Sequence, residues 1–154
     1  MKISIITATL NRATELNETI KSVMEQAHTD IDYIIIDGGS TDNSIEIIEH
    51  WQQLYPNNIR YISQTDNGIY EAINKGIKIA TGDVIGTLHA GDRFYSPNVL
   101  SIIAHTMSDP QINMIYGDVH YVNNSGRIVR KYSSKNFKPE LLKTSSVLET
   151  VCFS

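Results

Sequence analysis

The sequence lacks the features that mark several large classes of protein. Its 154 residues include a single cysteine, Cys152, so it cannot form an intrachain disulfide. No apolar run approaches the roughly 18 residues of a membrane-spanning helix, and the N-terminal apolar stretch is too short for a secretory signal. Acidic residues outnumber basic ones, 17 to 13, which disfavours a nucleic-acid-binding face. We therefore expect a cytoplasmic protein with no nucleic-acid partner.

Several ligand-binding and catalytic motifs are also missing. The first predicted turn between strand and helix, residues 7–12, contains no glycine, which excludes the G-x-G-x-x-G dinucleotide fingerprint. The chain has no G-x-x-x-x-G-K-[ST] phosphate loop, no G-x-S-x-G nucleophile elbow and no H-E-x-x-H zinc motif. A nucleotide site would then depend on carboxylates, which accept hydrogen bonds from a base or hold a divalent cation.

What the sequence does contain is an alternation of two hydrophobic periods over its first ninety residues. Apolar runs of strand length occur at residues 3–6, 33–36, 59–63 and 84–88. Between them, apolar residues recur at spacings of three and four over 16–27, 45–55 and 69–80, which is typical of amphipathic helices. This order predicts an α/β fold, a mostly parallel, Rossmann-like sheet with helices on both faces.

The pattern changes after residue 95. Ser96 and Pro97 predict the N-cap and first residue of a fourth helix. Residues 112–122 and 127–132 predict a C-terminal β-hairpin, and the periodicity fades beyond it. We therefore expect one domain, 1–132, followed by an irregular tail, 133–154. The residues expected to be buried beneath the fourth helix are Val99, Leu100, Ile102, Ile103 and Met107.

Polar residues follow each of the four predicted parallel strands, at 7–11, 37–42, 64–68 and 89–93. Turn formation explains any one of these clusters. Four clusters at one sheet edge indicate a binding site, because open α/β sheets bind ligands outside the carboxyl ends of their strands. Asp37 and Asp92 are the best-placed carboxylates.

These clusters resemble the motifs of the family 2 inverting glycosyltransferases of GT-A fold. Residues 37–42, D-G-G-S-T-D, are similar to the family's D-D-G-S-T-D, and residues 9–12, T-L-N-R, stand where the family has T-Y-N-R. Residues 67–76 match its N-G-x-x-x-A-x-N-x-G helix. The wording of 66–76 and 90–94 is most similar to the branch that builds bacterial surface polysaccharides, including colanic-acid-type enzymes.

The resemblance implies a nucleotide-sugar donor, a saccharide or lipid-linked acceptor, and Mg²⁺ or Mn²⁺ as cofactor. Asp92 stands at the final acid of the family's metal motif and is expected to bind the cation. The implied donor-binding residues are Thr9 and Asp37 for base and ribose, with Asp66, Asn74 and Lys75 near the phosphates and sugar.

Two positions depart from the family pattern. Gly38 replaces the second Asp of D-D-G-S, and Gly91 replaces the middle acid of S-D-D. Since Asp92 is retained, metal binding is still expected. His89 adjoins the metal loop and is a further candidate for contact with a ligand.

The catalytic base is unknown from the sequence. The family places it in the second half of the chain, in Glu-Asp surroundings that none of the later acids has. Residues 145–154 do not resemble the family's continuation, so we expect a truncated or frame-shifted chain that lacks the acceptor half. The later acids are Asp109, Asp118, Glu140 and Glu149.

Further expectations concern activity, membrane association and oligomeric state. The chain should not transfer sugar at a family-like rate, and it should associate peripherally with the inner face of the membrane. The open edge of the hairpin favours a homodimer. An inactive remnant that binds nucleotide without transfer, or a different nucleotide-dependent α/β enzyme, remain alternatives; the latter predicts no binding of a nucleoside diphosphate.

Overall fold

The computed structural model of the chain describes residues 1–123, 125–136 and the backbone of 152–153. A short 3-10 helix, Ser134–Asn136, follows the last long strand. In chain order the elements are β1 (Ile3–Thr9), α1 (Ala13–Met24), β2 (Ile31–Asp37), α2 (Ser44–Leu54), β3 (Ile59–Ser63), α3 (Ile69–Ile79), β4 (Val84–Thr87), α4 (Val99–Thr106), β5 (Ile115–Tyr116), β6 (Val119–Val122), β7 (Ile128–Tyr132) and β8 (Cys152–Phe153).

The main sheet has the strand order β3-β2-β1-β4-β8-β5. Its first four strands are parallel, as predicted, and β8 pairs antiparallel with both of its neighbours. The chain order reverses between β1 and β4, which is the switch point where α/β sheets bind ligands. The topology therefore directs attention to the carboxyl ends of β1 and β4.

The core lies on both faces of this sheet. One buried cluster joins the strands to α1, α2 and α4, and a second joins them to α3. A Cβ on Gly76 of α3 would lie 2.5 Å from Ile6 Cγ2, so α3 packs directly on β1 because residue 76 has no side chain. Among the described residues, no helix has both the length and the apolar character needed to cross a bilayer.

The amino end of the sheet is closed by a network around Asp32, near the start of β2. Its carboxylate accepts hydrogen bonds from Ser4 Oγ (2.8 Å), from Arg60 Nε and Nη2 (3.0 and 2.6 Å), and from Thr81 N and Oγ1 (both 2.9 Å). Arg60 also donates to the Ile79 carbonyl, 2.8 Å away. Burial would raise the pKa of Asp32, but these hydrogen bonds hold it below its usual value.

The fourth helix starts later than predicted. It begins at Val99, with Asn98 at the N-cap position. The carbonyls of Ser96 and Pro97 accept hydrogen bonds from Gln26 Nε2 (2.9 Å) and Ala27 N (2.8 Å), so this pair is held by the segment after α1 and precedes the first turn of α4. Within α4, Leu100 and Ile103 are buried as expected, but Ile102 is 61% exposed.

The predicted hairpin forms between β6 and β7, which pair antiparallel. The expected long strand 112–122 is divided, because its first part is β5 of the main sheet and the rest turns away after Tyr116 to form β6. In the predicted tail, β8 joins the main sheet between β4 and β5. Asn124 of the turn and residues 137–151 and 154 of the tail lie outside the described residues.

Candidate functional site

The carboxyl ends of three parallel strands form a row of polar residues. The strand register places Thr9 beside Asp37 and Asp37 beside Ser63. The hydrogen-bond pattern continues past the strands, because Gly38 N donates to the Thr9 carbonyl and Gln64 N to the Asp37 carbonyl, both at 2.9 Å. The sheet thus brings the predicted residues Thr9 and Asp37 together.

Asp37 is fully buried at the centre of this row. Its Oδ2 accepts hydrogen bonds from Gly39 N (3.0 Å), Ser40 N (2.9 Å) and Ser63 Oγ (2.7 Å), and its Oδ1 accepts from Ser40 Oγ. In this structure the carboxylate therefore holds the loop after β2. Its contact with a nucleotide base stays a prediction, since its hydrogen bonds are made within the chain.

Asn11 fixes the loop after β1 against the loop after β2. Its backbone has φ +52°, a left-handed conformation that asparagine adopts more readily than most residues. Asn11 Oδ1 accepts from Thr41 N at 2.8 Å, and Asn11 N donates to Ser40 Oγ at 2.8 Å. The two loops form one connected surface above the sheet edge.

Asp42 joins the starts of α1 and α2. Its Oδ1 accepts from Ser44 N (3.0 Å) and its Oδ2 from Ala13 N (3.1 Å), and hydrogen bonds with Ser44 are the main cause that lowers its pKa. Carboxylates stabilise helix N-termini in this way. The last acid of the D-G-G-S-T-D segment therefore has a structural role.

The absence of a side chain at Gly38 leaves room for Asp66. A Cβ at position 38 would lie 3.3 Å from Asp66 Oδ2 and 3.4 Å from Oδ1. Asp66 Oδ1 accepts from Gly68 N at 2.9 Å, which orients the carboxylate within the β3–α3 loop. A side chain at position 38 would therefore crowd the Asp66 carboxylate, so Gly38 and Asp66 are matched to each other.

In the first turns of α3, Glu71 forms an ion pair with Lys75. The sequence motifs do not single out Glu71. Glu71 Oε1 lies 2.9 Å from Lys75 Nζ, and its Oε2 accepts from Asn67 Nδ2 (2.7 Å) and N (3.0 Å). Hydrogen bonding with Lys75 and then Asn67 lowers the pKa of Glu71 to about 2. Lys75 is 18% exposed, whereas Asn74 is exposed on the helix.

Four buried side-chain polar atoms have no hydrogen-bond partner among the described residues. Ser44 Oγ lies at the start of α2, and Lys75 Nζ forms the ion pair described above. The other two are Thr9 Oγ1, at the end of β1, and His89 Nδ1, two residues after β4. Burial lowers the pKa of His89, and the nearby Asp92 charge opposes this shift. Because an unsatisfied buried polar atom is costly, both positions are candidates for contact with a ligand.

The predicted metal loop is anchored to α1 through Thr19. Thr19 Oγ1 donates to the Asp92 carbonyl at 2.8 Å and accepts from Gly91 N at 3.1 Å. Gly91 has φ +106°, which favours glycine at the position of the missing acid. The Asp92 side chain is exposed, and the described residues contain no group of three His, Cys, Asp or Glu side chains that could hold a metal ion.

Three supporting residues were missed from the sequence: Ser63, Glu71 and Thr19. For Ser63 and Thr19 a signal was present, since one ends an otherwise apolar-rich strand and the other is a polar residue on the apolar face of α1. Glu71 stands four residues after Asn67, a spacing that allows a side chain in the first helical turn to reach back to the loop.

The described candidates for a catalytic base accept hydrogen bonds within the chain, Asp118 across the base of the β6–β7 hairpin and Asp109 in a turn. Asp118 Oδ1 accepts from Ser134 N (2.7 Å) and Oγ (2.8 Å), and these bonds lower its pKa. Asp109 Oδ1 accepts from Gln111 N at 2.9 Å. Glu140 and Glu149 lie outside the described residues.

Comparison with known proteins gives a family for this site. The Glycosyl transferase family 2 model matches residues 4–153, which include the tail that we expected to be unlike the family. An uncharacterized glycosyltransferase of Nostoc sp. is 32% identical over 150 residues, 97% of this chain and 46% of the relative. A PGL/p-HBAD biosynthesis glycosyltransferase of Mycobacterium bovis is 32% identical over 117 residues, 75% of this chain and 46% of the relative. The chain spans less than half the length of these two relatives.

Solved structures show the same fold. A mannosyltransferase of Pyrobaculum calidifontis in complex with GDP-Man and Mn²⁺ has a TM-score of 0.71 at 19% identity, over 78% of this chain and 36% of that one. Residues 1–349 of S. aureus TarS in complex with UDP give a TM-score of 0.71 at 23% identity, over 84% and 38%. These likenesses confirm the GT-A fold. The match over residues 4–153 shows that the chain belongs to glycosyl transferase family 2.

Proposed function

We propose that this chain binds the nucleotide-sugar donor of an inverting glycosyltransferase that transfers sugar to a saccharide or lipid-linked acceptor. The observation that carries the proposal is the pair of unpartnered buried atoms, Thr9 Oγ1 and His89 Nδ1, at the carboxyl edge of a family 2 sheet. A bound nucleotide supplies hydroxyl, N–H and phosphate groups that would satisfy such atoms. The resemblance to colanic-acid-type enzymes supports a bacterial surface polysaccharide as the product, made at the cytoplasmic face of the membrane.

We assign different parts of the donor to different residues at this edge of the sheet. Thr9 is assigned to the base or ribose, and Asp66 to hydrogen bonds with hydroxyl or N–H groups of the donor. Lys75 carries the positive charge suited to a diphosphate, which leaves with increased negative charge. Asn74, exposed beside Lys75, is assigned to the sugar. In this arrangement Asp37 acts through the loop that it holds.

A divalent cation fits this site only if the donor supplies most of its ligands. The Asp92 carboxylate is the one protein oxygen that we assign to it, and Mg²⁺ and Mn²⁺ accept phosphate and water oxygens as further ligands. When bound, the cation would neutralise charge on the diphosphate. The solved mannosyltransferase with GDP-Man and Mn²⁺ supports metal use in the family.

Calorimetry with UDP and GDP, with and without Mn²⁺, tests donor binding. We expect Mn²⁺ to increase diphosphate affinity in the wild type and in Asp109→Asn, a matched control with an exposed acid in a turn. Asp92→Asn should remove that increase. Lys75→Gln should weaken UDP by about tenfold and leave uridine unaffected, because a charged hydrogen bond is worth roughly 1.5–3 kcal/mol.

Absence of diphosphate binding by the wild type would contradict the proposal. Transfer is tested separately, with UDP-, GDP- and dTDP-sugars, Mn²⁺ and lipid-linked acceptors. Diphosphate binding without a glycoside product would support the alternative of a nucleotide-binding remnant. Asp109 and Asp118 both accept hydrogen bonds within the chain, which favours that alternative because it leaves the catalytic base unassigned.

A further inference from the structure

The β6–β7 hairpin has a charge opposite to that of the chain as a whole. Residues 119–136 contain four basic side chains, Arg127, Arg130, Lys131 and Lys135. None of the 17 acidic residues falls within this range, although Asp118 directly precedes it and accepts a hydrogen bond from Ser134; the net charge of the chain is −4. Every residue of β7 is exposed. The hairpin therefore presents a concentrated positive charge to a partner.

The turn end of the hairpin is apolar. Val122 and Ile128 are cross-strand partners next to the turn, and they are 47% and 39% exposed. Val129 follows and is 63% exposed. Exposed aliphatic side chains grouped at one end of a ribbon favour a partner that offers an apolar phase.

Aromatic residues lie farther from the turn, together with basic ones. The rings of Tyr121 and Tyr132 are 5.6 Å apart, and the Arg130 guanidinium lies 4.3 Å from the centre of the Tyr132 ring. Tyrosine combines an apolar body with a polar tip and is enriched at membrane interfaces. Arg127 in the turn and Arg130 in β7 thus flank the exposed aliphatic residues, and this mixture of aliphatic, aromatic and basic side chains fits the boundary between acyl chains and headgroups.

The turn that presents these residues is held by Asn123. Its Oδ1 accepts from Ser125 N (3.1 Å), Ser125 Oγ (2.7 Å) and Arg127 N (3.0 Å). Asn123 N also donates to the Arg127 carbonyl at 3.0 Å. The hairpin is thus formed before any partner binds, which reduces the entropic cost of binding.

We propose that the β6–β7 hairpin docks the protein on an anionic phospholipid surface. Val122, Ile128 and Val129 enter the headgroup region, and the basic side chains contact lipid phosphates. A second copy of the chain fits less well, because paired β7 edges would place like charges together. Nucleic acid would leave the aliphatic residues without a role. The proposal is independent of sugar transfer.

Sedimentation with vesicles tests this surface. We expect the wild type to bind vesicles of three parts phosphatidylcholine to one part phosphatidylglycerol, more weakly at higher salt, and not to bind phosphatidylcholine alone. The variant Arg127→Gln/Arg130→Gln/Lys131→Gln should lose at least about tenfold in affinity. Lys2→Gln/Lys21→Gln/Lys78→Gln removes the same charge elsewhere and should lose less than about threefold.

A fluorescence experiment tests which end enters the lipid. Val129→Trp should shift its emission to the blue on the anionic vesicles, whereas Leu54→Trp, on exposed α2 surface, should not. The proposal is overturned if the wild type does not bind, if both triple variants lose affinity equally, or if Val129→Trp shows no shift. Binding of a single-stranded RNA in place of vesicles, or a hairpin-dependent dimer in place of vesicle binding, would also overturn it.

Discussion

Strand β2 carries a buried aspartate near each end, and the two ends differ in what surrounds them. Asp32, near the amino end, is 4% exposed and accepts from Arg60, Ser4 and Thr81. Asp37, at the carboxyl end, is fully buried and accepts from three neighbouring residues, none of them cationic, in the part of the chain that the structure describes. Both carboxylates are satisfied, so the difference lies in their neighbours.

At the amino end, Ser4, Arg60 and Thr81 all donate hydrogen bonds to Asp32. At the carboxyl end Thr9 Oγ1 and His89 Nδ1 are left without a described partner. Leaving a buried polar group unsatisfied costs roughly 1–3 kcal/mol. The comparison indicates that the amino end of the sheet contributes stability, whereas the carboxyl end, where we propose the donor site, carries unsatisfied polar atoms that reduce it.

The largest expected effect is on stability at the amino end. Asp32→Ala would leave Arg60, Ser4 and Thr81 without their acceptor and should lower the free energy of unfolding by about 3 kcal/mol. Urea denaturation measures this loss. Asp30→Ala removes an exposed acid 3.8 Å from the N-terminal amine and should cost less than about 0.5 kcal/mol. Similar losses in both variants would contradict the comparison.

Gly82, at the amino end of the sheet, lies close to backbone atoms of β1 and of the residues before it, which predicts the second largest loss of stability. A Cβ on Gly82 would lie 2.5 Å from Ser4 N and 2.9 Å from the Lys2 carbonyl, both backbone atoms. Gly82→Ala should therefore cost about 2 kcal/mol, within the usual range for overpacking. Gly117→Ala, where nothing lies within 4 Å, is the control and should leave the denaturation midpoint almost unchanged.

Two threonines on β1 sharpen the comparison. Thr7 Oγ1 donates to the Leu88 carbonyl and pairs with Tyr33 Oη at 2.9 Å, so Thr7→Val should cost about 1–2 kcal/mol. Thr9 Oγ1 is buried and has no described partner, so Thr9→Val should raise the free energy of unfolding by about 1 kcal/mol. UDP titration should show weaker binding for Thr9→Val but not for Thr7→Val. A stability loss at Thr9 equal to that at Thr7 would disprove the distinction.

The smallest expected effect is the loss of stability at low pH that arises from Glu71, at the start of α3. The pKa of Glu71 is about 2 in the folded chain, below its usual 4.5, so its ionised carboxylate stabilises the fold above pH 4.5. This contribution should fade as the pH falls from about 4.5 to 2. Unfolding of wild type and Glu71→Gln should differ at pH 6 and converge at pH 2. Glu46→Gln serves as control, and a constant difference would count against this assignment.

The sequence predicted much of this fold because burial on both sides of a parallel strand leaves a plain pattern. The run from Ile34 to Ile36 identified β2, and the helical spacing around Leu16 and Ile20 identified α1. It failed at Ser96 and Pro97, where residues suited to a helix start bond instead to the segment after α1. Such a choice depends on tertiary contacts that local propensity does not contain.

The site could be predicted in position more readily than in detail. Polar clusters after each strand located the edge, since strand ends converge in a parallel sheet. The partners of each side chain could not be read in this way. Asp37 looked open to a ligand but is bonded to its own loop, and Glu71 became visible only through the atoms that it joins.

The shared space of Gly38 and Asp66 has a consequence for how relatives of this chain vary. An acid at position 38 would place its side chain against the Asp66 carboxylate, so the two positions cannot both be acidic at low cost. Relatives with two acids in the β2 loop should carry a neutral or smaller residue at the position of Asp66. The same space would then hold a carboxylate from the β2 loop in some relatives and from the β3–α3 loop in others.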